Sequence, residues 1–164
     1  MKVEGMVGMQ SLNRINYAAL VERVHTLFCD TFGTDISFKE KTEAFEHMGY
    51  FCMKYSYLPL GYILSFENDR NTFDIEIYDE EEAKNSLYRI IKYNNELEIK
   101  NIEHAIRLLQ RILEKGDFCF YLTRGNKIYR KKNQQYERIE DLVGLMKDIE
   151  NRREKQRAVN EESL

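Results

Sequence analysis

Asp74 and Glu76 stand two residues apart in TFDIEIYDEEE, with Glu67, Asp79 and Glu80 close by in the chain. Carboxylates on one strand face are what a two-metal hydrolase needs, because paired divalent cations about 4 Å apart clamp the attacking and leaving oxygens of a displacement. An Asp-x-Glu step is a short, undiagnostic motif, however, and a solvated outer sheet face uses the same residues. His25 and Cys29 form the second pair, four apart, a spacing that puts both on one face of a helix. A Cys–His nucleophile also needs an accessible thiol in an activating environment. Cys29 lies between Phe28 and Phe32 in an apolar pattern, so its expected role is core packing beside a boundary histidine. Cys52 and Cys119 sit in strand-like sequence and read the same way. His25, His47 and His104 form no metal-ligand spacing, the cysteines are too far apart for a zinc site, and no GxSxG, GxGxxG or P-loop occurs. The expectation is a non-enzymatic protein with no cofactor and no metal.

The elements that must position these residues follow from periodicity. Ser11 and Asn13 can cap a helix that runs to about Phe32, with Leu20, Val24, Leu27 and Phe28 as its buried stripe and Gly33 as its stop. DISFKE reads as a short strand or a turn, and KTEAFEHMG is ambiguous. Tyr50 to Tyr57 and Gly61 to Glu67 read as strands separated at Leu58-Pro59. The strongest signal is a hairpin: Tyr62, Leu64 and Phe66 alternate with Ile63, Ser65 and Glu67, Asn68-Asp69-Arg70-Asn71 make the turn, and Phe73, Ile75 and Ile77 alternate with Asp74 and Glu76. Pointing the aliphatic set inward places Asp74 and Glu76 on the open face. Residues 86–93 read as a strand or, alternatively, a helical turn. Asn101 is the expected cap of a helix with the stripe Ile102, Ile106, Leu109, Ile112 and Leu113, closed by Gly116. Phe118 to Thr123 and Lys127 to Lys131 form a second hairpin around Arg124-Gly125-Asn126, and Ile139, Leu142, Val143, Met146 and Ile149 give a last helix.

The fold class expected is α+β: an antiparallel sheet with about three helices covering one face, in the order α-β-β-β-(β)-α-β-β-α. Residues 1–10 read as a flexible N-terminus, 11–150 as one domain, and 151–164 as a solvated helical extension with almost nothing to bury. The N-terminus carries no signal-peptide pattern, and no apolar run is long enough to cross a bilayer.

A net charge of −3 and a pI near 5.7 weigh against a general nucleic-acid binder. Local charge is more informative. Glu67, Asp69, Asp74, Glu76, Asp79, Glu80, Glu81 and Glu82 face only Arg70 between positions 67 and 82, whereas Arg124, Lys127, Arg130, Lys131 and Lys132 have no acid among them. Such polarity favours oriented association with a charged partner. Tyr129 and Tyr136 interleave with the cations as on a nucleic-acid surface, but an edge hairpin guarded by Lys and Arg explains the segment better.

The run GYILSFENDRNTFDIEIYDEEEAKNSLYRI, then KYNNEL, NIEHAIRLLQRIL, FCFYL and IYRKKNQQYERIEDL, resembles immunity proteins of bacterial polymorphic-toxin systems, over about Tyr50 to Leu145. The resemblance rests on overall wording and not on an invariant motif. It implies a cytoplasmic protein that binds and neutralises a cognate toxin, with no membrane or nucleic-acid partner. If the toxin is a nuclease, an acidic strand face could fill its basic cleft, and Glu67, Asp69, Asp74, Glu76, Asp79 and Glu80 are the candidate partner-binding residues. Two other classes compete: a secretion chaperone, similar in size and element order, and a metal-dependent nuclease built on Asp74 and Glu76.

Overall fold

The computed structural model describes residues 15–163, so the predicted Ser11 or Asn13 cap and the flexible N-terminus lie outside the described residues. Helix α1 spans Tyr17–Phe32 and is capped by Asn16, whose side chain accepts a hydrogen bond from the Ala19 N–H at 3.0 Å. Its buried stripe is Val21, Val24, Leu27, Phe28 and Phe32. Gly33, at φ 54°, ends it by sending its N–H back to the Cys29 carbonyl.

Eight strands then form one antiparallel sheet in strict chain order: β1 Ile36–Ala44, β2 Tyr50–Tyr57, β3 Tyr62–Asp69, β4 Thr72–Tyr78, β5 Lys84–Ser86, β6 Phe120–Arg124, β7 Lys127–Lys132 and β8 Gln135–Ile139. The predicted central hairpin is present. Asp69 pairs with Thr72, and Arg70 and Asn71 both adopt positive φ, as a two-residue hairpin turn of matching twist requires. Asp35 ends a short 3-10 turn, and the rest of DISFKE joins the start of KTEAFEHMG in one strand, β1, followed by a turn at 45–49. Tyr17 packs its ring against the backbone of Gly49, at φ 78°, where a side chain would collide with it, and donates its hydroxyl to Asn71 at 2.7 Å.

The inner face of the sheet carries Phe51, Met53, Tyr55, Leu64, Phe66, Phe73, Ile75 and Ile77, all almost fully buried. Helices α1 and α3, the latter Ile99–Lys115, bring the other half of this core, and the Gln110 side chain ties them by donating to the Thr31 carbonyl at 2.9 Å. The stripe Ile102, Ile106, Leu109, Ile112 and Leu113 is buried and Gly116 closes the helix in the left-handed conformation, both as expected. Asn101 is not the cap. It lies inside the first turn and donates to the Glu96 carbonyl at 3.1 Å.

Four further features bear on the site, the first being the helical-turn alternative for 86–93 and the other three differences from the sequence reading. Residues 84–90 are a short strand, β5, followed directly by the one-turn helix α2, Leu87–Ile90, because Ser86 caps the Tyr88 N–H at 3.1 Å. The basic segment is not an edge, since β8 pairs along β7 from Lys132↔Gln135 to Ile128↔Ile139. The last helix, α4, runs Leu142–Ser163, and Ile139 belongs to β8. The expected stripe of α4 points largely outward: Leu142, Val143 and Met146 are exposed, and Leu145 and Arg153 are buried instead. Among the described residues the fold is α+β, with four α-helices and an eight-stranded antiparallel sheet.

Candidate functional site

Two surface regions gather chemistry-bearing side chains. The first is the outer face of β2–β4. Strand register places Glu67 opposite Asp74 and Ser65 opposite Glu76, with Cys52 beside Glu67. Period-two alternation puts all of them on the side away from the core. Tyr50 donates its hydroxyl to Glu67 at 3.2 Å, Tyr78 donates to Glu76 at 2.5 Å, and Lys84 Nζ lies 3.5 Å from Glu76. Burial, with the neighbouring carboxylates adding to it, raises the tyrosine pKa values: Tyr50 is pushed up to about 12, and Tyr78 rises further still.

The six predicted partner-binding residues do not form one edge. Glu67 is exposed, and Asp69 is exposed at the hairpin end beside Arg70, 3.8 Å away. Asp74 is not on an open face, and this corrects the sequence reading. Its carboxylate accepts from the Ser86 hydroxyl at 2.6 Å, the Ile75 N–H at 2.7 Å, the Tyr93 hydroxyl at 3.3 Å and the Tyr88 N–H at 3.4 Å. Burial raises its pKa despite those donors. It is the post on which α2 is mounted. Glu76 is half-buried but keeps an accessible edge. Asp79 also works internally, accepting from the Glu81 and Ala83 N–H groups at 2.9 Å each and pairing with Lys131 at 2.7 Å. Glu80 is exposed in the same turn, against Gly61.

The two charge blocks seen in the sequence thus meet in space. Lys131 on β7 bridges Asp79 and Glu81, the latter at 2.6 Å, and lies under the ring of Tyr136. Those carboxylates drive the Lys131 pKa well up, and Glu81 is held below the usual range by Lys131. Part of the apparent polarity is therefore spent joining β4–β5 to β7.

The second region is a cavity of about 560 Å³ between β6–β7, the C-terminal end of α3, α2 and α4. Arg89, Lys115, Arg130, Lys132, Arg152 and Lys155 line it together with one acid, Asp117. Ile90, Phe118 and Ile149 give it apolar walls, and the Cys119 and Tyr121 side chains lie between them. Burial pushes the Tyr121 hydroxyl up to about 12. The α4 wall is seated by Arg153, stacked 4.5 Å from the Tyr88 ring and bonded to Glu150 at 2.8 Å, and by Lys92, which pairs with Glu154 at 2.8 Å. Arg153 comes from the tail expected to bury almost nothing. Its signal in sequence is only a polar residue on a weakly amphipathic helix.

The Cys29–His25 pair is a further correction. Cys29 is exposed and not a core residue, and its sulfur lies 3.6 Å from His25 Nε2, while His25 Nδ1 is 2.9 Å from the Tyr55 hydroxyl. The thiol sits on the outside of α1, away from the cavity. Cys52 is buried, 3.2 Å from the Ser65 hydroxyl, and Cys119 is half-buried. Among the described residues no group of three or more His, Cys, Asp and Glu side chains is arranged to hold a metal ion, and no helix is long and apolar enough to cross a membrane. Comparison with known protein families, with curated proteins and with solved structures gives no match.

Proposed function

We propose that this protein is a non-enzymatic immunity protein of the cytoplasm, which captures and neutralises a cognate toxin protein through the outer face of β2–β4. The observation that carries the reading is the pair of clamped carboxylates on that face, Tyr50–Glu67 and Tyr78–Glu76. Tyrosine supplies rigid amphipathic contact area, and a carboxylate held by it meets a partner without first losing side-chain freedom. Glu67, Glu76 and Asp69 are the contact acids of this reading. Asp74 and Asp79 hold the frame, and Glu80 lies at its margin. Acidic charge also speeds encounter with a basic partner, such as the substrate cleft of a nuclease. The resemblance over Tyr50 to Leu145 supports the same role.

The test is co-expression with the product of an adjacent toxin-like reading frame. Rescue of growth and a one-to-one complex are expected. If the chain instead holds only an unfolded export segment of a cargo protein, the chaperone class replaces this one.

A further inference from the structure

We infer that the cavity between β6–β7 and α4 is a binding site for a small polyphosphate of nucleotide size, separate from the acidic face. A chain of net charge −3 places six of its 25 cations, Arg89, Lys115, Arg130, Lys132, Arg152 and Lys155, around one cavity with a single acid. Gathering like charge costs self-repulsion that a bound anion relieves. Arg89, Lys115, Lys132, Arg152 and Lys155 form no ion pair with any described residue. The Nε of Arg130 is buried and has no hydrogen-bond partner.

The contrast with neighbouring cations is instructive. On β7 itself, Lys131 points to the opposite face and is fully engaged by two carboxylates. On α4, Arg153 pairs with Glu150 and stacks on Tyr88, although its Nε and Nη2 are themselves buried without a hydrogen-bond partner. The flanking Arg130 and Lys132, and Arg152 and Lys155, turn to the cavity instead.

Shape and chemistry narrow the ligand. A volume of about 560 Å³ lies in the range of small-molecule sites. Arginine presents a planar fork that pairs with phosphate oxygens two at a time, and lysine adds point charge. Three arginines and three lysines exceed what one phosphate can satisfy, so two or three phosphates fit better. Phe118, with Ile90 and Ile149, offers an apolar wall against which a base can lie.

Isothermal titration of the full chain with ATP and with inorganic pyrophosphate, at about 50 and 200 mM salt, tests this. Both probes should bind one-to-one and more weakly at the higher salt. The double substitution Arg130→Gln and Arg152→Gln should raise Kd at least tenfold, whereas Lys39→Gln on the distant β1 should leave it unchanged. Phe118→Ala should weaken ATP and spare pyrophosphate. If the double variant loses its circular dichroism spectrum, Lys155→Gln alone should still weaken both probes about threefold. No binding of either probe at millimolar concentration overturns the proposal. So does binding that ignores the cavity substitutions, or saturable binding of a polyglutamate peptide with neither phosphate probe bound.

Discussion

Strands β1–β4 and strands β6–β8 belong to one sheet but are held in different ways. The first four strands are long, pair over their whole length and press an aromatic inner face onto α1 and α3. Phe66 stacks on Phe51 at 5.8 Å and on Phe73 at 5.2 Å, and Phe28 stacks on Tyr55 at 4.4 Å. The last three strands bury little beyond Tyr121 and join the rest through β5, which meets β6 in a single residue pair, Lys84↔Tyr121. What secures them is mainly polar: Lys131 on Asp79 and Glu81, and the Asn85 side chain on the Cys119 carbonyl at 2.9 Å, with one aromatic contact, the edge of Phe120 against Tyr62 at 5.1 Å. Apolar burial makes a rigid platform for a binding face, while a charge-tethered subsheet leaves room for a cavity at the joint.

The contrast can be broken hardest at Phe66. Phe66→Ala empties the centre of the aromatic stack and should cost about 3–5 kcal/mol in urea denaturation. If the loss is below 1 kcal/mol, the first four strands are not held by that stack. Asp74→Ala comes next. It strips the acceptor from Ser86, Tyr93 and the Tyr88 N–H and should cost about 2–3 kcal/mol, with weakened amide protection concentrated in α2.

The same carboxyl gives a pH test. Its folded pKa lies above the unfolded value near 3.8, so the folded state holds the proton more tightly. Its contribution to stability is therefore greatest below the unfolded pKa and declines as pH rises through the folded pKa. Asp74→Asn removes that decline. The stability difference between Asp74→Asn and the parent should shift in favour of the variant as pH rises from about 4 towards neutrality. A pH-independent difference contradicts the buried setting of Asp74.

Lys131→Met should have a smaller effect, about 1–2 kcal/mol, because most of the core lies elsewhere. Its signature is local. Hydrogen exchange should quicken in β6–β8 and stay unchanged in β2–β4, and uniform quickening would mean that the two regions unfold as one unit. The smallest effect on stability is expected from Glu67→Gln with Glu76→Gln, within about 0.5–1 kcal/mol, since both groups are on the surface side of the sheet.

How much of this could be read from the chain depends on where the determining contacts lie. The β3–β4 hairpin was legible because apolar residues alternate on both sides of Asn68-Asp69-Arg70-Asn71, and the α3 stripe because Ile102, Ile106, Leu109, Ile112 and Leu113 repeat at helical spacing. Strand β8 was not, because QYERI is exposed over most of both faces and carries no alternation. The exposed stripe of α4 misled because periodicity marks an apolar face without saying whether anything covers it. Asp74 looked like a surface acid because the hydroxyls and amide that claim it come from 86, 88 and 93, beyond the reach of strand patterning. The basic cavity is assembled from four separate stretches of chain, and only folding brings Arg89, Arg130 and Arg152 to one place. Cys29 was misassigned because apolar neighbours at 28 and 32 were taken to set its own face, whereas it lies on the outer side of α1.

The most direct measurement is the association rate of the purified toxin partner with the parent protein and with the Glu67→Gln, Glu76→Gln double variant, at low and moderate salt. Capture through the clamped acidic face predicts at least a tenfold slower association of the variant at low salt, with the difference narrowing as salt rises. Equal association rates at both salt concentrations would contradict it and place the binding surface elsewhere on the molecule.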